Sequence, residues 1–433
     1  MTDTALMTDR YELTMIDAAM RSGTAFRPSA FEVFARRLPG ARRYGVVAGT
    51  GRFLQRLAEF RFGDAELASI RPWASAELVD WLAEYRFSGD IRGYAEGELY
   101  FPGSPVLVVE GTFAEAVVLE TVALSVLNYD SAVANAATRM VRAAKGRPLA
   151  EMGSRRANEE AAVAAARAAY VAGFSATSNL AAGSRWGIPT MGTAAHSFTL
   201  LHDSEAEAFQ AQIDALGVGT TLLVDTYDIE QGIRTAIEVA GTGLGGIRLD
   251  SGDLNEVAAD ARRLLDSLGA TGTRITVTSD LDEYAIAGLQ ASPVDAYGVG
   301  TSLVTGSGAP AAGMVYKLVA RQGADGAWKG VAKHSEGKAS TGGEKTAVRT
   351  LRGGVAVEET VLLTDDPGTL ADAARAGRAL QVPLVAAGEI DERWLGAGGV
   401  AAARDRHAAS VAELPADAHR LARGEPALPT AFR

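Results

Sequence analysis

Short apolar runs that alternate with helix-like segments between residues 174 and 305 restrict the fold more than any other feature. The runs are 188–198 (IPTMGTAAHSF), 221–228 (TLLVDTYD), 247–253 (IRLDSGD), 275–280 (ITVTSD) and 296–304 (AYGVGTSLV). Helix-like segments follow three of them, at 229–240, 254–268 and 281–291. Alternating strands and helices of these lengths predict successive βα units, and therefore a parallel sheet or barrel.

Charged and hydroxyl side chains collect where these predicted strands end. They are His196, Asp225, Asp228, Arg248, Asp250, Asp253, Asp280, Asp282, Thr301 and Ser302. In parallel α/β folds the active site lies at the carboxyl ends of the strands. The sequence therefore predicts an active site assembled from several separate strand ends.

The length of 433 residues predicts more than one small core. We expect an α/β barrel at 105–313, in which the run PVLVVEGT (105–112) begins the parallel region. We expect a second, α+β domain from the two ends of the chain. Residues 1–104 supply its N-terminal part, and residues 314–433 pack back on that part.

Composition and charge exclude several classes of function. The net charge of −11 argues against a general nucleic-acid surface or an anionic-membrane surface. The chain has no cysteine, so disulfides, thiolate metal ligands and cysteine nucleophiles are excluded. The first residues lack the pattern of a signal peptide, and glutamates interrupt the longest apolar stretch. We expect a soluble, cytoplasmic protein that binds small molecules and neither nucleic acid nor membrane.

A glycine-rich segment, GVGTSLVTGSG at 298–308, is a candidate phosphate-binding loop. Its glycines let a ligand approach the backbone, and its N–H groups, with the Thr301 and Ser302 hydroxyls, can surround phosphate oxygens. A plain turn after a strand explains the same residues. GTGLGG at 241–246 follows a helix instead of a strand, so it is no dinucleotide fingerprint. VLLTDDPGT at 361–369 is interpreted as an ordinary turn.

Charged residues within two predicted strands require a partner or a role. Arg248 and Asp250 point to the same side of IRLDSGD, opposite its apolar residues. They are either a structural ion pair or a cation held for a carboxylate or phosphate. Asp225 and Asp228 in LLVDTYD either position Mg²⁺ at a diphosphate or cap the following helices.

His196 follows the predicted strand IPTMGT, in a chain with only five histidines. Neither a catalytic triad nor a zinc site can be assembled around it from the sequence. It is either a structural histidine or an active one, and then a general base, a phosphate contact or a phosphoryl acceptor.

All lysines except Lys145 fall within one short region. They are Lys317, Lys329, Lys333, Lys338 and Lys345. Two interpretations remain open for this region. It is either a solvent-exposed hairpin or a mobile basic flap that closes over phosphates.

Seven blocks of the sequence, in order from about residue 6 to 350, follow the pattern of a known family. They are MTDRYELTM, FEVFARRLP, FSATSNLAAGSRWGIPTMGTAAHSF, LLVDTYD, IRLDSGDL, SDLDE and GVGTSLVT. The pattern resembles the nicotinate phosphoribosyltransferases. The resemblance implies an irregular (β/α) barrel of the type II phosphoribosyltransferase kind, with a second α+β domain from both termini.

The resemblance also implies an activity in NAD salvage. Phosphoribose is transferred from phosphoribosyl diphosphate to nicotinate, which gives nicotinate mononucleotide and diphosphate. ATP is a co-substrate whose hydrolysis is coupled through a transient phosphohistidine, and Mg²⁺ is a cofactor. Family members are typically homodimers with shared active sites, in which an N-terminal tyrosine reaches the neighbouring subunit.

Site residues follow from matching the family motifs to this chain. His196 in GTAAHSF matches the phosphohistidine, and the catalytic set is His196, Arg248 and Asp250. The implied substrate-binding residues are Tyr11, Arg155, Ser178, Thr193, Arg248, Gly300, Thr301 and Ser302. Tyr11, Thr193 and Arg248 match nicotinate contacts, and Thr301 matches the phosphoribosyl diphosphate loop. Arg155 and Arg156 are candidate partners of phosphate or carboxylate.

Ser178 bears on the choice of base. Nicotinamide-using relatives carry an aspartate near the block ATSN, at the position that aligns with Ser178. An acid there would accept a hydrogen bond from an amide but repel a carboxylate, so Ser178 favours nicotinate.

Three alternatives to this function remain open. They are a nicotinamide-specific or quinolinate-type phosphoribosyltransferase, another barrel enzyme acting on a phosphorylated sugar, and a catalytically silent ligand-binding relative.

Overall fold

The computed structural model describes residues 4–333, 341–363 and 377–433. Lys338, and the part of the predicted turn at 361–369 that follows Leu363, lie outside the described residues. Within them the helices are α1 (Arg10–Arg21), α2 (Thr50–Glu59), α3 (Asp64–Ile70), α4 (Ala76–Ala83), α5 (Phe113–Val117), α6 (Glu120–Ala144), α7 (Glu159–Val171), α8 (Leu180–Trp186), α9 (His196–Leu201), α10 (Glu205–Leu216), α11 (Ile229–Ala240), α12 (Leu254–Ser267), α13 (Glu283–Gly288), α14 (Thr301–Val304) and α15 (Gly396–Ala412).

The strands of the same described residues are β1 (Pro28–Ala35), β2 (Gly45–Val46), β3 (Asp90–Tyr94), β4 (Leu99–Tyr100), β5 (Leu107–Thr112), β6 (Leu149–Glu151), β7 (Ala176–Thr177), β8 (Thr221–Leu223), β9 (Gly246–Leu249), β10 (Arg274–Val277), β11 (Ala296–Val299), β12 (Met314–Gln322), β13 (Trp328–Gly330), β14 (Lys345–Arg352), β15 (Val355–Leu363), β16 (Arg378–Ala379), β17 (Gln381–Ala386), β18 (Glu389–Ile390) and β19 (Thr430–Phe432). The chain divides into two compact units. One combines residues 1–135 with 309–433, and the other consists of 136–308.

The unit of residues 136–308 is built on a parallel sheet with the strand order β7-β6-β11-β10-β9-β8. Around the sheet the strands run in chain order from β8 to β11, and β6 and β7 follow β11. Beyond β7, Thr190 adds one parallel bridge to Thr177. This cyclic order is that of an irregular (β/α) barrel and confirms the predicted fold.

Burial explains why these short runs form strands. In β9, Ile247 and Leu249 are fully buried, whereas Arg248 between them keeps part of its surface exposed. The side chains therefore alternate across the sheet as the sequence predicts. The predicted run at 188–198 differs, because it contributes only the bridge at Thr190, and His196 begins helix α9 instead of following a strand.

The other unit contains a seven-stranded antiparallel sheet with the order β13-β12-β1-β5-β3-β17-β18. Strand β5 lies between β1 and β3 and is antiparallel to both. The run 105–112 therefore does not begin the parallel region, and the units divide between residues 135 and 136 instead of between 104 and 105. A fully buried antiparallel strand has the same apolar run as a parallel one, so the pattern could not distinguish them.

Buried ion pairs join N-terminal and C-terminal segments within this antiparallel unit. The guanidinium of Arg349, fully buried on β14, contacts Glu98 at 2.6 Å and Glu359 at 2.8 Å. Arg378 contacts the other oxygen of Glu98 at 2.6 Å. Although burial opposes the charged form, Arg349 and Arg378 lower the pKa of Glu98 to about 2. These bonds explain why both ends of the chain belong to one unit.

The lysines of the lysine-rich region have different structural roles. Lys345 is buried on β14, and its Nζ lies 3.0 Å from Oε2 of Glu32. Lys329 lies on β13 and pairs with the exposed Asp325 at 3.1 Å. Lys345 is thus part of the core and cannot belong to a basic flap, whereas Lys329 fits the solvent-exposed hairpin.

One helical stretch of the described residues, 113–144, is long and apolar enough to cross a membrane by length and composition. Most of its apolar window, 67%, is buried inside the protein. Core helices of globular proteins have the same properties, so this stretch is weak evidence for a membrane span.

Candidate active site

A polar pocket of about 200 Å³ lies at the carboxyl ends of β6, β9, β10 and β11. Its lining consists of Met152, Arg155, Arg156, Arg248, Asp250, Thr278, Ser279, Asp280, Gly298, Gly300 and Thr301. Five predicted site residues, Arg155, Arg248, Asp250, Gly300 and Thr301, therefore meet in one place. The position agrees with the rule that sites in parallel α/β folds form at the carboxyl ends of the strands.

The guanidinium of Arg248 is held from three sides. Its Nε donates to Oγ1 of Thr278 at 2.9 Å, and its Nη2 donates to Oδ1 of Asp250 at 3.0 Å. Its Nη1 lies 3.3 Å from both Oγ1 of Thr193 and the carbonyl oxygen of Ala194. A guanidinium has five N–H donors, so these four contacts leave capacity for a ligand.

Asp250 remains an acceptor in this arrangement. Burial alone would raise the pKa of its carboxyl, but hydrogen bonds from Thr278 and Arg248 outweigh that effect and lower the pKa below its usual value. The side chain is therefore ionised near neutral pH. Arg248 and Asp250 form the structural ion pair that the sequence allowed, and the pair lines the pocket, so the structural and binding interpretations are compatible.

His196 lies at the start of α9 with its imidazole partly exposed. Its Nδ1 is 3.1 Å from Oγ1 of Thr226, and its Nε2 is 3.9 Å from Oδ1 of Asp225. The imidazole side chain is 42% exposed and the Asp225 carboxylate only 1%. The histidine can thus meet a ligand from solvent while a buried carboxylate stands behind it.

Asp225 connects His196 to the ion pair of Arg248 and Asp250. Its Oδ2 accepts hydrogen bonds from the backbone N–H of Asp250 and from Oγ of Ser251, both at 2.8 Å. Its Oδ1 is buried and has no hydrogen-bond partner among the described residues. Because an unpaired buried carboxylate oxygen is costly, this atom is ready to accept a proton donor or a cation.

A buried glutamate fixes the loop that carries Arg155 and Arg156. Glu151, the last residue of β6, accepts from the backbone N–H of Gly153 and from Oγ1 of Thr177, each at 2.5 Å. Burial raises the pKa of the Glu151 carboxyl. The side chains of Arg155 and Arg156 are exposed and make no hydrogen bond or ion pair in the described part of the chain. They are therefore free to bind an anion.

Comparisons with known proteins identify the family. A family model described as nicotinate phosphoribosyltransferase (NAPRTase) N-terminal domain matches residues 6–128. The chain is similar to nicotinate phosphoribosyltransferase pncB1 of Mycobacterium tuberculosis, with 56% identity over 435 aligned positions that cover 98% of this chain and 94% of that protein. The chain belongs to the nicotinate phosphoribosyltransferase family.

More distant members agree with this assignment. Nicotinate phosphoribosyltransferase of Bacillus subtilis is 38% identical over 327 positions, which cover 73% of this chain and 66% of that protein. The crystal structure of human nicotinic acid phosphoribosyltransferase superimposes with a TM-score of 0.81 at 26% identity, covering 98% and 97% of the two chains. The structure of nicotinate-nucleotide pyrophosphorylase from Pyrococcus furiosus has a TM-score of 0.75 at 23% identity, covers 94% and 95% of the two chains, and supports the fold alone.

Three of the strand-end acids have a structural role in this nicotinate phosphoribosyltransferase family member. Asp228, Asp253 and Asp282 accept backbone N–H groups at the starts of α11, α12 and α13. The capping interpretation is therefore correct for Asp228. Asp280 is different, because it lines the pocket.

Besides His196, four predicted site residues lie outside the pocket lining. Thr193 contacts Arg248 from a neighbouring loop, as described above. Ser178 is exposed directly after β7, where its backbone N–H donates to the carbonyl of Glu151 at 2.8 Å. Ser302 lies on the short helix α14, and its carbonyl accepts from the N–H of Ser307. Tyr11 lies on α1 of the antiparallel unit with 46% of its surface exposed.

Sequence reasoning missed Thr278, Thr226 and Glu151. Thr278 and Thr226 each contact a predicted catalytic side chain, and Glu151 supports the arginine loop. Thr278 follows β10 in the way that Asp250 follows β9, so the strand-end pattern could have found it. A hydroxyl attracts less attention there than a charge, because threonine is also common in strands.

Proposed function

We propose that this chain transfers the phosphoribosyl group of phosphoribosyl diphosphate to nicotinate in NAD salvage, giving nicotinate mononucleotide and diphosphate. The family is assigned by sequence, and one structural observation supports the proposed reaction. A cation, Arg248, is oriented by its neighbours in a pocket that the free cations Arg155 and Arg156 also line. Such a pocket suits ligands that carry a carboxylate and phosphates.

The chemistry needs charge placement more than proton transfer. The pyridine nitrogen of nicotinate is a nucleophile at neutral pH, so no strong general base is required. The nitrogen forms a bond to the ribose anomeric carbon while the bond from that carbon to the diphosphate oxygen breaks. Arg155 and Arg156 would stabilise the leaving diphosphate, and Arg248 would orient the nicotinate ring by its carboxylate.

Coupling to ATP is the second part of the proposal. An imidazole nitrogen of His196 would attack the γ-phosphorus of ATP, so that an N–P bond forms and the bond to ADP breaks. Water then cleaves the phosphohistidine to phosphate. The exposed imidazole, with the buried Asp225 carboxylate 3.9 Å behind it, supports this role because the carboxylate stabilises the positive charge that develops on the ring.

Mg²⁺ is the cofactor that the family pattern implies. Two acids are available to such an ion: Oδ1 of Asp225 is a buried carboxylate oxygen without a hydrogen-bond partner among the described residues, and Asp280 lines the pocket. Magnesium is commonly held by one or two carboxylates together with substrate phosphates. When bound, it would supply positive charge to the diphosphate. Asp225 or Asp280 would supply its carboxylate ligand.

We further propose a cytoplasmic homodimer in which Tyr11 contributes to the partner's site. Its support is the family resemblance and the half-exposed ring of Tyr11. Mixing Tyr11→Ala with His196→Ala subunits tests the sharing, because mixed dimers would regain one intact site and part of the ATP-coupled activity. Activity that stays at the sum of the two separate variants contradicts shared sites.

The central experiment incubates the protein with phosphoribosyl diphosphate, Mg²⁺ and either nicotinate or nicotinamide, with and without ATP. We expect mononucleotide from nicotinate, at a higher yield with ATP. Product from nicotinamide alone indicates the alternative specificity, and no product from either base indicates a silent ligand-binding relative. Either result refutes the proposed reaction. Product from nicotinate that ATP does not increase refutes only the coupling.

A further inference from the structure

Thr278 places a buried hydroxyl between the two charged side chains of the pocket. The residue follows β10 and is only 3% exposed. Its Oγ1 accepts from Nε of Arg248 at 2.9 Å and donates to Oδ1 of Asp250. The direction of both bonds is fixed, because an arginine Nε can only donate, which leaves the hydroxyl proton for the carboxylate.

The hydroxyl limits how closely Arg248 and Asp250 can pair. A carboxylate prefers two parallel N–H donors of a guanidinium, and Nε with Nη2 is such a pair. Asp250 already receives Nη2 at 3.0 Å. Thr278 removes Nε from this interaction and occupies the same carboxylate oxygen. The ion pair therefore remains single, and the second oxygen of Asp250 is kept from closing on Nε of the guanidinium.

Packing holds the threonine in this orientation. A Cβ atom placed on Gly298 of β11 would lie 2.6 Å from Cγ2 of Thr278, so the methyl group packs directly against the backbone of the next strand. With its methyl group enclosed there, the threonine has little freedom to rotate about χ1. This packing favours the orientation in which the hydroxyl lies between Arg248 and Asp250.

We propose that Thr278 is a positioning residue that keeps Arg248 available to the carboxylate of nicotinate and thereby sets the affinity for the acidic base. The inference rests on the proposed function, in which Arg248 binds that carboxylate. It adds a residue that acts through Arg248. Without the hydroxyl, the second oxygen of Asp250 can approach Nε, and the closer carboxylate weakens the attraction of Arg248 for nicotinate.

The test compares Thr278→Val, which keeps the shape and removes the hydroxyl, with Thr278→Ser, which keeps the hydroxyl. For the valine variant we expect the KM for nicotinate to rise between about ten- and a hundredfold, the range for losing a hydrogen bond to a charged group. The KM for phosphoribosyl diphosphate should change less than about twofold, because Arg155 and Arg156 are untouched. The serine variant should restore the nicotinate KM to within about threefold of the unmodified protein, since its hydroxyl makes the same bonds.

Thermal unfolding and calorimetric titration with nicotinate accompany the kinetics, and Thr278→Ala replaces the valine variant if that variant does not fold. An unchanged nicotinate KM, an equal rise in both KM values, or a serine variant as weak as valine overturns the inference. These results leave the proposed function intact when the unmodified protein forms nicotinate mononucleotide. An unmodified protein that uses no nicotinate refutes the function, and this role with it.

Discussion

Nε2 of His196 faces Oδ1 of Asp225 at 3.9 Å, and that oxygen has no hydrogen bond to any described residue. The other oxygen of Asp225 is engaged by the backbone of Asp250. The Asp225 carboxylate therefore connects His196 to the segment after β9, which carries Asp250, the ion-pair partner of Arg248. Asp225 and Asp250 thus form a continuous chain of contacts between the imidazole of His196 and the guanidinium of Arg248.

His196→Ala should abolish labelling of the protein by γ-³²P-ATP and leave slow, ATP-independent transfer to nicotinate. The imidazole is the proposed phosphoryl acceptor, and the pocket that holds Arg248 is unchanged. His202→Ala is the matched control, because His202 lies just after the same helix and its ring Nδ1 bonds to the carbonyl oxygen of Phe198 at 2.8 Å, away from Asp225. Undiminished labelling in His196→Ala assigns the phosphoryl group to another residue.

Arg248→Ala should raise the nicotinate requirement more than any other kinetic parameter. Loss of a charged hydrogen-bonding partner predicts a KM increase of about a hundredfold. Arg274→Ala provides the control, since Arg274 is exposed at the opposite end of the neighbouring strand β10. Initial rates over a range of nicotinate concentrations give the comparison. Equal KM values for the two variants would assign Arg248 to structure alone.

Glu151→Ala should weaken binding of phosphoribosyl diphosphate and lower stability together. Its removal leaves the N–H of Gly153 without its carboxylate acceptor, which costs about 1–3 kcal/mol of unfolding free energy. The arginine loop then loses its support, so the KM for phosphoribosyl diphosphate should rise. Urea unfolding and initial rates measure the two effects, with the exposed Glu160→Ala as control. A stability loss with an unchanged KM would separate Glu151 from the arginine loop.

His407 should make the antiparallel unit less stable as the pH falls from about 6.5 to 4. Burial lowers the pKa of this histidine to about 4, below its ordinary 6.5, so the unfolded chain binds the proton first in that interval. The loss amounts to roughly 3 kcal/mol at most. Urea unfolding of His407→Gln between pH 4 and 7 should show a smaller dependence on pH.

Comparing the variant with the unmodified protein separates the contribution of His407 to the pH dependence of stability from that of Glu12, which has the opposite sign. Burial raises the pKa of Glu12 to about 8, so its contribution to stability falls as the pH rises above about 4.5. That slope is common to both proteins and cancels in their difference. Parallel stability curves would show that His407 does not titrate as proposed.

The periodic pattern predicted the barrel and the edge of the sheet at which its site lies, because strand ends of a parallel sheet converge. It could not separate acids that cap helices from acids that face the pocket, since both follow a strand. Asp228 and Asp225 differ by only three positions, yet one caps α11 and the other lies beneath His196. The pattern also failed at β5, where burial on both faces hides the direction of pairing.

The contacts of the supporting residues were beyond sequence reasoning for a different reason, even for Thr278, whose position after β10 the strand-end pattern could have found. Glu151 and Thr278 act through hydrogen bonds to groups distant in the chain, and no local spacing encodes such contacts. The family resemblance supplied Tyr11 and Thr193, which strand periodicity could not. Thr193 contacts Arg248 from a loop without regular secondary structure, so no periodic pattern marks it.

The pairing of β1 with β12 has a consequence for synthesis on the ribosome. β1 is made early, but one of its two edges is covered only when residues 314–322 have emerged. The strands of the barrel unit, all between residues 149 and 299, are complete before that moment. We therefore expect the barrel to fold first, while the N-terminal segment waits with an open strand edge that is vulnerable to aggregation.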